Sequence, residues 1–165
     1  MTDNILGIDP GGTTGTTYWV PSEQKYYYQQ WETPQEDETG TKLRQFYNWL
    51  ERLYGRLPLY EPIPDMTIVL ERFDFRHEET ARDKIDYSAR EVIGCVKLFC
   101  ANYAVHLVMQ NANLGKEFWV DDKLRRIGMY RGTGKEVKHS TDGLRHLLYY
   151  RTFTLNDKSL LMRLK

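Results

Sequence analysis

Residues 5–15 read Ile5-Leu6-Gly7-Ile8-Asp9-Pro10-Gly11-Gly12-Thr13-Thr14-Gly15. A short apolar run closed by Pro-Gly-Gly is the pattern of a buried strand running into a turn. Downstream, Thr16–Val20 and Lys25–Trp31 are rich in β-formers and are separated by a Pro21-Ser22 turn. The three segments together predict an antiparallel meander. A second apolar run, Thr67-Ile68-Val69-Leu70, repeats the design of the first: it too ends in an acid, Glu71. Two buried strands therefore each deliver a carboxylate at the carboxyl end.

The remaining chain fills in around these strands. Leu43, Phe46, Tyr47, Leu50, Leu53 and Tyr54 recur at helical spacing and predict an amphipathic helix over Glu38–Tyr54. Three prolines make Gly55–Asp65 a loop. A polar stretch from Arg72 to Asp83 precedes a helix over Tyr87–Tyr103, and Val105–Met109 forms a fifth strand. A short helical segment starts near Phe118. After the Gly132-Thr133-Gly134 turn, Ser140 or Thr141 is expected to cap a last helix through Leu144, Leu147 and Leu148. The order βββαβαβα predicts an α/β fold with a five-stranded mixed sheet, a meander followed by parallel strands, flanked by helices.

Length and composition narrow the classes. At 165 residues, 41% hydrophobic and 28% charged, the chain fits one globular domain over 1–165, with 152–165 as a candidate C-terminal arm. No stretch has the apolar length of a membrane span, and the first residues lack the basic start of a signal peptide, so a cytoplasmic protein is expected. Cys95 and Cys100, five apart in a helix, read as two small hydrophobes and not as a disulfide or zinc scaffold. Net charge is zero, but it is unevenly spread. Residues 1–71 carry six more acids than bases, whereas residues 116–165 carry six more bases than acids. Such a basic third can neutralise phosphates, although a solvated surface has the same composition.

In open α/β sheets, sites form beyond the carboxyl ends of parallel strands. If the strands of Asp9 and Glu71 are neighbours, both acids enter one crevice, and two carboxylates so placed call for a hard cation such as Mg²⁺ or Mn²⁺. His139-Ser140-Thr141-Asp142 offers a third acid at the expected start of the last helix, with His139 and Asp142 on one face. Each acid also has a plain structural use. Asp9 can begin a turn, Glu71 can pair with an arginine, and Asp142 can complement a helix N-terminus. The glycines and hydroxyls of the 9–15 loop suit either a phosphate or a tight hairpin. There is no Walker loop and no dinucleotide fingerprint.

The segments ILGIDPGGTTG, TIVLERF and HSTDGLRH, with DDKLRRIGMY ahead of the last, resemble the RuvC-type Holliday junction resolvases of the ribonuclease H-like superfamily, in particular those of bacteriophages. The likeness in order and spacing runs from Ile5 to about Tyr150. It implies a site made of Asp9, Glu71, His139 and Asp142, binding two Mg²⁺ or Mn²⁺ ions, with His139 as ligand or water-orienting group. It also implies a structure-selective endodeoxyribonuclease that nicks four-way junctions symmetrically and leaves 5′-phosphate and 3′-hydroxyl ends. Gly143 departs from the family's commoner alanine.

A homodimer follows from two symmetric nicks, and the resemblance implies the Tyr87–Tyr103 helix as its contact; the same helix can simply pack on the sheet. A phage protein of this kind would act in the host bacterial cytoplasm. Arg72, Arg76, Lys116, Lys123, Arg125, Arg126 and Lys138 are candidate phosphate contacts, and Phe73 and Phe75 are candidate base-stacking residues. The alternatives are a ribonuclease H-fold nuclease for a flap, an RNA–DNA hybrid or a packaging intermediate, and a non-catalytic branched-DNA binding module. An actin-like ATPase shares the first loop but needs two domains.

Overall fold

The computed structural model describes residues 4–33, 40–55, 66–72 and 88–165. Phe73, Phe75 and Arg76, most of the two stretches expected as loops, and the first residues expected in two helices (Glu38 and Tyr87) lie outside them.

Five strands form one sheet: β1 (Asn4–Asp9), β2 (Thr13–Val20), β3 (Lys25–Glu32), β4 (Met66–Arg72) and β5 (His106–Asn111). The spatial order is β3-β2-β1-β4-β5. β1, β2 and β3 pair antiparallel, and β4 lies parallel to both β1 and β5. The expected mixed sheet is therefore present, with the meander on one side and the parallel strands on the other. β1 is buried throughout because alternate side chains enter two cores. Leu6 and Ile8, with Ile68 and Leu70 of β4, pack against α1 (Thr41–Gly55) and α2 (Ser88–Tyr103) through Phe46, Leu50, Val92, Val96 and Phe99. Ile5 and Val69 face the opposite way, toward Leu144, Leu147 and Leu148.

Those leucines belong to α5 (Lys135–Tyr149), which crosses the sheet backbone against backbone. A Cβ on Gly7 would lie 2.1 Å from the Gly143 carbonyl oxygen, and one on Gly15 would lie 1.9 Å from the His139 carbonyl carbon. No side chain fits there. The two glycines of the opening segment thus seat a helix directly on β1 and β2, and Thr17 Oγ1 donates to the Ser140 carbonyl at 2.7 Å. The Thr14 hydroxyl of the 9–15 loop is also occupied internally: its Oγ1 lies 2.8 Å from Thr33 Oγ1, which donates to the Gly11 carbonyl.

Two local expectations are corrected. The last helix begins at Lys135, behind an extended Gly134, so Ser140 and Thr141 do not cap it. Both hydroxyls instead bond back to the Val137 carbonyl, as Ser and Thr do inside a helix. Asp142 accordingly lies two turns into the helix, too deep to complement its N-terminus. The helical segment expected from Phe118 onwards is α4 (Asp121–Arg126), and a further helix, α3 (Ala112–Phe118), precedes it.

Residues beyond α5 fold back onto the protein. A π turn (Tyr150–Thr154) leads to α6 (Ser159–Met162), whose Leu160 joins the second core. Arg151 lies over the Trp19 ring and donates to Asp157 at 2.6 Å. Cys95 and Cys100 are free thiols. No helix among the described residues is long and apolar enough to cross a membrane.

Candidate active site

The register that sets Ile8 of β1 against Leu70 of β4 carries each strand one residue further into an acid. Asp9 and Glu71 are thereby neighbours at the carboxyl ends of two parallel strands. The glycine contact between α5 and the sheet adds a helix face with His139 and Asp142 on it. His139 Nδ1 lies 2.9 Å from Asp9 Oδ2. The backbone of the same turn is held by Gln30 of β3, whose Oε1 accepts from the His139 and Ser140 N–H groups at 2.9 and 3.2 Å.

The three acids surround one ammonium. Lys116 of α3 places Nζ 3.2 Å from Asp9, 2.9 Å from Glu71 and 3.7 Å from Asp142. Gly115 makes this reach available, since a Cβ there would come within 2.9 Å of the Arg145 backbone. The carboxylates are enclosed, with side chains 8–13% exposed, whereas the Lys116 side chain is 34% exposed. Arg145 secures Asp142 from behind, donating to its Oδ1 at 2.6 Å and to the Trp119 carbonyl at 3.0 Å. Its other nitrogen bonds Asp121 at the start of α4.

Electrostatics separates the acids. Burial pushes the Asp9 carboxyl up; His139 and Lys116 pull against this and Glu71 adds to it. Burial opposes the charge on Glu71 too, but hydrogen bonds from His146, Asp9 and Lys116 outweigh it and hold Glu71 at about 2. Of two adjoining carboxylates, Asp9 holds a proton more readily and Glu71 carries the charge. For Lys116 burial disfavours the ammonium, yet Asp9, Glu71 and Asp142 together raise its pKa above the ordinary lysine value.

Among the described residues, no group of three or more His, Cys, Asp or Glu side chains is arranged to hold a metal ion as it stands. The acids are spread around an ammonium instead. Their chemistry still fits a hard divalent ion. Three oxygen-donor side chains from three elements already meet at a cation, and that cation is on a flexible, partly exposed stem that can withdraw.

The other expected site residues lie outside this cluster. Arg72 is exposed at the end of β4, and Lys138 is exposed beside His139. Lys123 lies 3.6 Å over the Phe118 ring, Arg125 stacks on Tyr130, and Arg126 pairs with Asp122 at 3.1 Å. Lys116, expected as a phosphate contact, is held by the acids. Sequence reasoning did not single out Gln30, Gln110, Arg145 or His146. The last two had a usable signal, since they stand three and four residues after Asp142 and so share its helix face.

No protein-family model and no curated protein matches the sequence. Solved structures do. Thermus thermophilus RuvC in complex with a Holliday junction substrate superposes with a TM-score of 0.66 at 15% identity, over 93% of this chain and 96% of that one. A second Thermus thermophilus RuvC structure gives 0.65 at 15% identity with the same coverage. The chain has the RuvC fold. At this identity the likeness establishes architecture: the five-stranded mixed sheet and its flanking helices extend over nearly the whole of both chains.

Proposed function

We propose that this RuvC-fold chain is a divalent-metal-dependent endodeoxyribonuclease that resolves four-way DNA junctions by paired nicks. The observation that carries the reading is the convergence of Asp9, Glu71 and Asp142 on one cation at the carboxyl ends of β1 and β4. Three enclosed carboxylates facing a phosphodiester would repel it, so this arrangement suits phosphate chemistry only with further positive charge between them. The structural neighbour's junction complex supports branched DNA as the substrate. The bacteriophage placement rests on the sequence motifs.

Asp9, Glu71 and Asp142 would hold two Mg²⁺ or Mn²⁺ ions, with His139 beside them. Bound ions would supply Lewis-acid polarisation of the scissile phosphate and a more acidic water. The protein's own part is positional. His139 fixes Asp9 through Nδ1, and Arg145 fixes Asp142. Lys116 neutralises the acids before DNA arrives and adds positive charge at the phosphate afterwards. The products expected are 5′-phosphate and 3′-hydroxyl ends. Two symmetric nicks require two such sites, hence a two-fold homodimer. The inner face of α2 is buried on the sheet, and its outer face carries the exposed Leu98 available for that contact.

A parallel cleavage assay on four-way junction, flap, RNA–DNA hybrid and linear duplex, with Mg²⁺ and with Mn²⁺, tests the proposal. Paired nicks confined to the junction are expected. Preferred cutting of the hybrid or flap would reassign the substrate, and binding without cutting of any of them would contradict the nuclease.

A further inference from the structure

His146 is the most deeply placed polar side chain around the acids. It is wholly buried on α5, and both ring nitrogens are engaged. Nε2–H donates to Glu71 Oε2 at 2.9 Å, and Nδ1 lies 3.0 Å from Gln110 Oε1. Glu71 and Gln110 are register partners on β4 and β5, so one imidazole bridges the ends of two adjacent strands. One helical turn earlier on the same face stands Asp142, which Arg145 holds. The ring therefore ties the orientation of Glu71 to the helix that carries Asp142. A buried carboxylate with free rotation would meet a cation in many poses; one pinned at Oε2 meets it in one.

We propose that His146, steadied by Gln110, is a positioning residue that sets the Glu71 carboxylate toward the cation centre. It does not touch substrate. The Gln110 amide can turn over to offer oxygen or nitrogen, so the ring is held whether Nδ1 carries a proton or not. Outer-shell partners of this type typically govern 10–100-fold in metal affinity or activity. The inference rests on the reading of Asp9, Glu71 and Asp142 as metal-holding acids.

The test is calorimetric Mn²⁺ binding to the DNA-free protein, paired with junction cleavage kinetics and thermal melting. His146→Leu, which keeps volume and helix preference but donates nothing, is expected to lose at least tenfold in Mn²⁺ affinity and in kcat, with KM for the junction unchanged. His146→Gln, whose amide can donate to Glu71, is expected to regain most of that loss. A His146→Leu protein that binds Mn²⁺ within threefold of wild type overturns the inference, and so does a His146→Gln protein as impaired as His146→Leu. If His146→Leu does not fold, His146→Gln against His146→Asn decides: the shorter amide falls short of Glu71 and should lose Mn²⁺ affinity, and equal affinity in the two overturns the inference. Wild-type protein that takes up no Mn²⁺ and cuts nothing would instead overturn the nuclease reading on which this one stands.

Discussion

Replacing Asp9 by Asn keeps the size of the side chain but exchanges a carboxyl oxygen for an amide nitrogen, which ligates no metal, between His139 and Lys116. If Asp9 holds metal, this change should lower junction cleavage by about three orders of magnitude or more, roughly 4 kcal/mol of barrier. Junction affinity in Ca²⁺ should stay within about threefold, because phosphate contacts carry binding. Gel-shift and cleavage assays on the same preparation check it, and joint loss of both would indicate a folding role. The two cysteines supply a quieter prediction. Burial pushes the Cys95 and Cys100 thiols up to about 11. Native alkylation at neutral pH should therefore run about tenfold slower or more than for an open thiol, since the thiolate is the nucleophile. Mass spectrometry of iodoacetamide-treated protein measures this. At this scale the strand-end acids were readable because two apolar runs end alike, in a carboxylate, although each acid alone has a plain structural use. The place of Lys116 among them was not, and it read as a phosphate contact, because nothing local marks a lysine whose partners stand 26 to 107 residues away.

Among the elements, α5 depends on glycines. Gly15→Ala puts a methyl group into the His139 backbone, and overpacking of this kind costs typically 1–3 kcal/mol. Because the same contact delivers His139 to Asp9, cleavage should fall with stability. Gly143→Ala is a contrasting case. Its Cβ would meet the Gly7 and Gly15 carbonyls at 3.0 and 3.1 Å, a tight fit that the roughly 1 kcal/mol helix preference of alanine offsets. Urea melts should place it within about 1 kcal/mol of wild type, while Gly15→Ala is clearly weaker. The strands were legible from their apolar runs and turns. The start of α5 was not, since Ser140 and Thr141 look like caps until their hydroxyls are seen to bond the preceding turn. Nor was α3, a seven-residue helix that follows β5 at once, with no side-chain cap from Asn111.

Over the whole molecule, the acidic first part of the sequence and its basic last third meet where α5 packs on β1 and β2. Arg125 and Lys138 are exposed and make no ion pair with any described residue. If they contact phosphates, Arg125→Glu and Lys138→Glu should weaken binding to every branched DNA alike. Each should reduce the slope of log K against log salt by about 0.9. Fluorescence anisotropy over a salt series reads both, and unchanged slopes would mean that this face is turned from DNA. The adjacency of β1 and β4 was left open by the sequence, whereas the fold class, a meander followed by parallel strands, was within reach because alternation of strand and helix admits few topologies. The cation-centred packing of the site was not, because it is assembled from β1, β4, α3 and α5 only once the chain has closed.

The central claim is that Asp9, Glu71 and Asp142 together bind divalent metal. Crystals grown with Mn²⁺ and examined by anomalous scattering test it most directly. The account predicts manganese peaks at ligand distance from all three carboxylates, with the Lys116 ammonium displaced from between them. A map with no manganese there, and Lys116 still seated among the acids, would contradict it.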